Sequence, residues 1–569
     1  MICFLCALLL VRSYVHAQTP DDEKPVRVSA AFEFEKKFGV QLGAAKPIPF
    51  IPELEIALDT GKRQPMKLEI PPYEPFPFPV SALPKKEDIP YIPKRSFSRH
   101  SWHPHYLSMG FGNYLSPELN ARYSPDKHWS ATAAYQGNLE GEVDAANSAQ
   151  HRADLNLNGN YRLDQRNHKS HLNLAAHYGY RQVHFYGYQP EEESTPPPAA
   201  DIRRTAHQAN LEAGLRAVPT TLSSDLFWGG QLRGGYWLGD REDQEWRAEL
   251  NGWAGKSQID DELGYRLEIN LRADQFTDST DSQMRALGSV TPSVAQTIGR
   301  LSYHAGLRVS FLETDSMNYD QSLFFYPEAR VGLQVVPRWL FLQLSASGGM
   351  QPQFYQKFFE ENPFLAARQR LRHTNESYRF ELSARSRPIS KLRISAALSL
   401  GRYQNLAFFR NNATDSSQFD IVYRREGVSK LTFTTEVRYQ SKDFQADARL
   451  EVRQFSFDRQ AEAWYIPQVE ATLGWQWHFL RDWYWVQRLD FIGARFAPLP
   501  GSDTETVRLD PIANLSVRLG YSPAPHWRFF GEIQNALNQS YQQYLYYPAL
   551  RLQGRLGVSY HFGQKQSWE

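Results

Sequence analysis

Charged residues in this sequence recur at alternate positions, and that spacing is where any chemistry has to begin. Arg266, Glu268 and Arg272 follow it, as do Arg449, Glu451 and Arg453. Arg393, Glu436, Arg438, Asp447, Arg508, Arg518, Arg551 and Arg555 stand in similar settings, each between apolar neighbours or one residue from them. Side chains two apart share a face only in an extended strand. Such a face has two readings. It can be a lattice of ion pairs that stiffens and wets a wall, or a lumen-facing lining that selects a polar solute by its charge. The basic residues near the last strands lean toward anions.

Other chemistry finds less material. Three imidazoles, His100, His103 and His105, fall within six residues, a density that suits a transition metal. No carboxylate or cysteine completes that set at a familiar spacing, so no metal site is expected. Trp475 with Trp477, and Trp483 with Trp485, fit aromatic belts on either side of a short turn. No nucleophile elbow, phosphate loop, H-E-x-x-H pair or dinucleotide fingerprint is present, and neither a catalytic site nor a cofactor is expected. The chain carries 63 basic and 62 acidic residues, a formal net charge of +1, which gives no reason to expect nucleic acid as a partner.

The elements that must position these charges are strands. In Lys391–Tyr403, Leu392, Ile394, Ala396, Leu398 and Leu400 oppose Arg393, Ser395 and Ser399. The same two-residue period runs through Tyr265–Arg272, Leu431–Gln440, Phe444–Arg453, Val507–Leu519 and Pro548–Phe562. It persists for about 10 to 15 residues, against ~5–6 in an ordinary soluble strand, which suits strands tilted through a bilayer. Mean hydropathy is only −0.55 although aromatics make up 14 % of the chain, as expected when half of each strand faces a polar interior. Short turns (124–127, 337–338, 481–482) alternate with longer polar stretches near 188–202, 275–296, 350–374 and 498–506. The expectation is an all-β fold: a transmembrane antiparallel β-barrel of about 20–22 strands over residues 101–562, with a tail at 563–569.

The N-terminal stretch differs. Residues 1–17 read as a signal peptide, with an apolar core from Ile2 to Val11 and cleavage near Ala17. Both cysteines, Cys3 and Cys6, lie inside it, so the exported chain would hold none. Residues 18–100 are proline-rich and cannot be wall, because proline lacks the amide proton a central strand needs. They form either a flexible periplasmic leader or a segment that docks in the lumen or on a partner through Phe50, Ile51, Leu54, Ile56, Phe76 and Phe78.

Near the C-terminus, Asn535-Ala536-Leu537-Asn538, Tyr541, Tyr547, Pro548, Arg555 and Phe562 form a pattern. It resembles the closing segment of TonB-dependent receptor barrels of Gram-negative outer membranes, where an N-L-x-N-x-x-Y turn leads into a last strand ending in an aromatic. Glu361-Asn362-Pro363-Phe364-Leu365, followed by Glu376 and Glu381-Leu382, resembles a mid-barrel passage of the same family. The likeness covers about residues 103–562. It implies an outer-membrane location, contact with outer-membrane lipid, insertion by the barrel-assembly machinery and a role in solute passage or uptake. A surface lipoprotein or a periplasmic energy-coupling partner is the further partner it suggests. The family's glycine-rich plug is not found in residues 18–100. The leader or a separate protein is therefore expected to close the lumen. The competing reading is a non-transporting receptor or scaffold component of an outer-membrane assembly.

Overall fold

The computed structural model describes residues 105–126, 128–141, 148–164, 168–188, 198–219, 226–256, 263–314, 322–458, 462–502 and 505–563. The signal peptide, the leader and the tail beyond Gly563 lie outside the described residues.

The described strands build one antiparallel sheet of 22 strands in which chain neighbours pair throughout. The first strand, His105–Gly112, pairs with the last, Gln553–Phe562, from His105 opposite Phe562 to Gly112 opposite Arg555. The sheet therefore closes into a transmembrane barrel. Closure is what lipid demands, since each unpaired backbone group there costs several kcal/mol.

Alternation decides which face meets the lipid. In the strand Thr374–Ile389, Tyr378, Phe380 and Leu382 are exposed, while Glu381 and Ser383 are buried. Similar exposed sets occur on other wall strands, for example Tyr265, Leu267, Ile269 and Leu271 on Gly264–Thr277. Large apolar side chains exposed around a closed barrel have only hydrocarbon to cover them.

Three expectations need correction. The last strand starts at Gln553, not at Pro548. Pro548 belongs to a small two-stranded sheet, Gln542–Tyr544 with Tyr547–Pro548, and Arg551 is exposed in the connection that follows. The stretch 507–519 is two elements. Thr506–Leu509 pairs with Arg495–Pro498 in a loop hairpin, and the wall strand begins at Ile512, after Pro511 removes a ladder donor. Arg508 is thus an exposed residue of that hairpin. The third concerns 275–296, which is not a long loop. Ser282–Ile298 is a 17-residue wall strand reached by a turn at 278–281, where Asp278 accepts the N–H groups of Thr280 and Asp281. Small residues and Pro292 disguise its alternation. The ladder to the next strand, Leu301–Thr314, is interrupted between Val290 and Ser293, where the proline stands.

The two barrel ends differ. Connections at the end where the first strand begins are short, such as 299–300, 390–391 and 525–526. The opposite end, the loop end, carries the long excursions 185–202, 352–373, 405–427, 458–468, 493–511 and 535–552.

Candidate functional site

The inner wall is built by the residues between the lipid-facing ones. Arg266 pairs with Glu268 at 2.8 Å and Arg272 with Glu249 at 2.6 Å. Further round the barrel, Arg449 joins Glu436 (2.6 Å) and Glu451 (3.2 Å), and Arg453 joins Glu451 (2.7 Å) and Glu470 (2.9 Å). Arg518 binds Glu532 at 2.5 Å, and Arg555 of the last strand pairs with Glu118 of the second. Most of these links cross from one strand to the next or join residues two apart, so they brace the wall against shear.

Some cations stand outside that lattice. Arg385, Arg393, Arg438 and Lys430 have no carboxylate within 4.0 Å among the described residues. Arg393 lies directly opposite Arg438 in register, and Arg438 opposite Asp447. Arg385 donates to Gln343 at 3.0 Å and stacks over Phe341. Of the charges singled out from sequence, then, the structure joins most into pairs, sets Arg393, Arg438 and Asp447 near one rim, and places Arg508 and Arg551 off the wall.

The loop end holds an arrangement that sequence reading missed. Its long excursions pack into one apolar core in which Tyr355, Phe364, Leu365, Phe419, Trp464 and Tyr547 are almost fully buried. Tyr547 stacks on Phe364 with ring centroids 3.7 Å apart. Phenol groups tie one excursion to another: Tyr544 donates to the carbonyl of Glu361 (2.8 Å), Tyr186 to that of Pro548 (3.1 Å), Tyr465 to Asn411 (2.6 Å), and Tyr547 to the carbonyl of Ser417. Burial pushes the Tyr355, Tyr465 and Tyr544 hydroxyls above their usual range, so they stay protonated and can donate. The available signal was composition: Phe354-Tyr355, Phe358-Phe359 and Tyr544-Leu545-Tyr546-Tyr547 are too aromatic for solvated loops.

Wall residues anchor this cap. Helix Tyr355–Glu361 lacks a side-chain cap of its own. Glu245, 2 % exposed on strand Gln244–Lys256, accepts the N–H groups of Tyr355 (2.9 Å) and Gln356 (3.0 Å) instead. Fully buried Arg204 pairs with Asp243 and Asp240 and donates to the Tyr355 hydroxyl at 3.3 Å. Arg285 and Asp274 form a second buried pair beside His373.

The C-terminal pattern belongs to the cap's last excursion. Asn535 and Asn538 both take positive φ (47°), which asparagine tolerates. The Asn535 amide donates to the carbonyl of Gln539 at 2.8 Å, and the Asn538 side chain accepts the N–H of Leu552 at 3.2 Å. Tyr541 packs with Ile512 and Ala549, while Phe562 closes the seam against His105 with ring centroids 5.3 Å apart. His105 also accepts the N–H of Ser124 at 3.0 Å; His100 and His103 lie outside the described residues.

A closed barrel of 22 strands encloses a wide lumen, here lined by paired polar side chains. Solved structures agree in fold. The FrpB iron transporter of Neisseria meningitidis matches with a TM-score of 0.58, 11 % identity, and 81 % of each chain covered. The ferric-catecholate import receptor Fiu of E. coli K12 gives 0.56 at 10 % identity, over 83 % of this chain and 84 % of that one. The ferripyoverdine receptor of the Pseudomonas aeruginosa outer membrane gives 0.57 at 11 %, over 82 % and 73 %. The chain has the barrel fold of the TonB-dependent receptors. No family model matches the sequence, and no curated protein does.

Proposed function

We propose that this protein is an outer-membrane barrel for solute passage or uptake, with the loop-end cap sealing one mouth and the leader or a partner protein closing the other. The observation that carries the reading is the combination of a lipid-facing band with a polar inner wall in a closed 22-stranded sheet. A polar wall in a barrel of this width encloses a wet lumen that a polar solute can enter once a mouth opens. The fold likeness to an iron transporter and to two receptors supports the same role. An energy-coupling partner or a surface lipoprotein would engage the protein from the periplasm or from the loop end.

A second reading rests on the cap, because opening it would expose side chains as large as Tyr355, Trp464 and Tyr547. In that reading the barrel is a non-transporting receptor or scaffold. Single-channel conductance in a planar bilayer separates the two. The intact protein should be silent. A variant lacking residues 18–98 and carrying Glu245→Gln with Tyr547→Ala should conduct steadily. Silence in that doubly relieved variant, with the barrel folded, sinks passage and leaves the scaffold.

A further inference from the structure

Around the strand Leu392–Gln404 the inner wall is hollowed. Its inward positions are small: Ser395, Ala397, Ser399 and then Gly401. Its two neighbours, Thr374–Ile389 and Val428–Gln440, carry longer side chains on the same face. The result is a groove of about 190 Å³ along the strand, with hydroxyls of Thr432 and Thr434 on one side.

At the rim-ward end of this groove three arginines stand on neighbouring strands, Arg385 lining the groove while it donates to Gln343, and Arg393 and Arg438 just beyond its end. Arg385 is opposite Ser395, and Arg393, two residues from Ser395 on the same face, is opposite Arg438. None has a carboxylate within 4.0 Å among the described residues. The nearby acids are committed or too few: Glu436 is held by Arg449, Glu381, on the strand of Arg385, is held by Arg379, and Asp447, opposite Arg438, offsets one charge of the three. Like charges directly opposed across a sheet are destabilising. Arg393 and Arg438 are both exposed, so an anion can reach them and supply the missing countercharge, and a guanidinium fork matches phosphate or carboxylate in two hydrogen bonds at once.

We propose that Arg385, Arg393 and Arg438 form an anion-binding site for a hydroxylated organic solute, its phosphate or carboxylate held by the arginines and its body lying along Ser395, Ser399 and Thr434. The site rests on the reading of the inner wall as the face a solute meets, and it names the class of that solute. An inner wall that only needed stiffening would pair these arginines as it pairs Arg449 and Arg453.

The test is equilibrium binding by titration calorimetry to the full-length protein in detergent micelles at fixed ionic strength, with glucose 6-phosphate, glucuronate and glucose as probes. Saturable binding of at least one of the two anions, with none of neutral glucose, is the expected result. The phosphate and uronate arms tell which acid group is preferred. Arg393→Gln with Arg438→Gln should weaken that binding by about tenfold or more, the loss expected when hydrogen bonds to a charged group are removed. Arg266→Gln, remote on the wall and paired to Glu268, should leave it within about twofold. Heat-modifiable electrophoretic mobility verifies that each variant is folded; Arg385→Gln serves as the replacement if the double variant is not. Failure of both anions to bind, or binding unchanged in the folded variants, overturns the site. Since binding is read without transport, a site confirmed in a barrel that never conducts would fail only the passage reading.

Discussion

Single residues decide how the cap is held, and His373 links that hold to pH. Its ring is buried beside Asp274, at 3.9 Å, and it accepts the N–H of Gln353 at 3.2 Å. Burial first, then the positive charges of Arg285 and Arg272, hold its pKa well below the ordinary value. The imidazole is therefore neutral in the closed cap. In an opened cap it would titrate near about 6.5. The open form then binds more protons below that pH, so cap stability rises with pH and is lost progressively as pH falls from about 6.5 toward the depressed value. Amide exchange over Tyr355–Glu361 should accelerate between pH 7.5 and 5.5, after correction for intrinsic rates. His373→Gln should flatten that dependence. Equal pH dependence in protein and variant would show that another group opens the cap.

At the scale of elements, the wall relies on cross-strand pairs whose shapes interlock. Tyr484, on strand Trp483–Ile492, stands opposite Gly520 on Ile512–Ala524, and a Cβ at Gly520 would overlap the tyrosine ring. The glycine is needed for that close approach. Gly520→Val should cost about 1–3 kcal/mol through overpacking, read as a lower temperature for loss of the folded electrophoretic form. An unchanged transition would mean that the ring simply moves aside. This is also the scale at which sequence was most and least informative. Strand Leu392–Gln404 was legible because lipid imposes one chemistry on every outward position, so Leu398 and Leu400 announce the face of Ser399. Strand Ser282–Ile298 was not, because Ala286, Gly288 and Pro292 carry too little contrast against Ser289, Thr291 and Ser293. Arg508 reads as a wall residue for a related reason: a loop hairpin alternates by the same rule as a wall strand. The cap was illegible as a unit, since Tyr186, Phe364, Phe419 and Tyr547 come from four distant connections and only tertiary contact assembles them. Arg393 and Arg438 were recognised as charged inner-face candidates, but their opposition depends on a register that no single strand encodes.

For the whole molecule the issue is whether the cap is a fixed lid or a gate. Its packing argues for an equilibrium that strongly favours the closed form, since opening would expose side chains as large as Tyr355, Trp464 and Tyr547. Passage then requires opening to be driven, by a solute, a partner or release of the wall anchors at Glu245 and Arg204. The sequence makes this testable, because its only cysteines are Cys3 and Cys6. Leu365 and Phe419 are bridge partners joining two excursions, with the N–H of Phe419 donating to the carbonyl of Phe364 and the N–H of Ala366 to that of Phe419, both at 2.9 Å. Leu365→Cys with Phe419→Cys, in a protein lacking residues 1–98 of the mature and signal regions and refolded into micelles, places two thiols within disulfide reach. Oxidised, this barrel should be silent in a planar bilayer. Reduced, it should show openings, because both substitutions remove buried apolar volume from the cap core and weaken it by about 2–5 kcal/mol. Conductance that is the same in both redox states would mean that ions bypass the cap, and the seal would have to lie elsewhere along the inner wall. Silence in both would mean that the cap stays shut when its core is weakened, which is how a lid on a scaffold behaves.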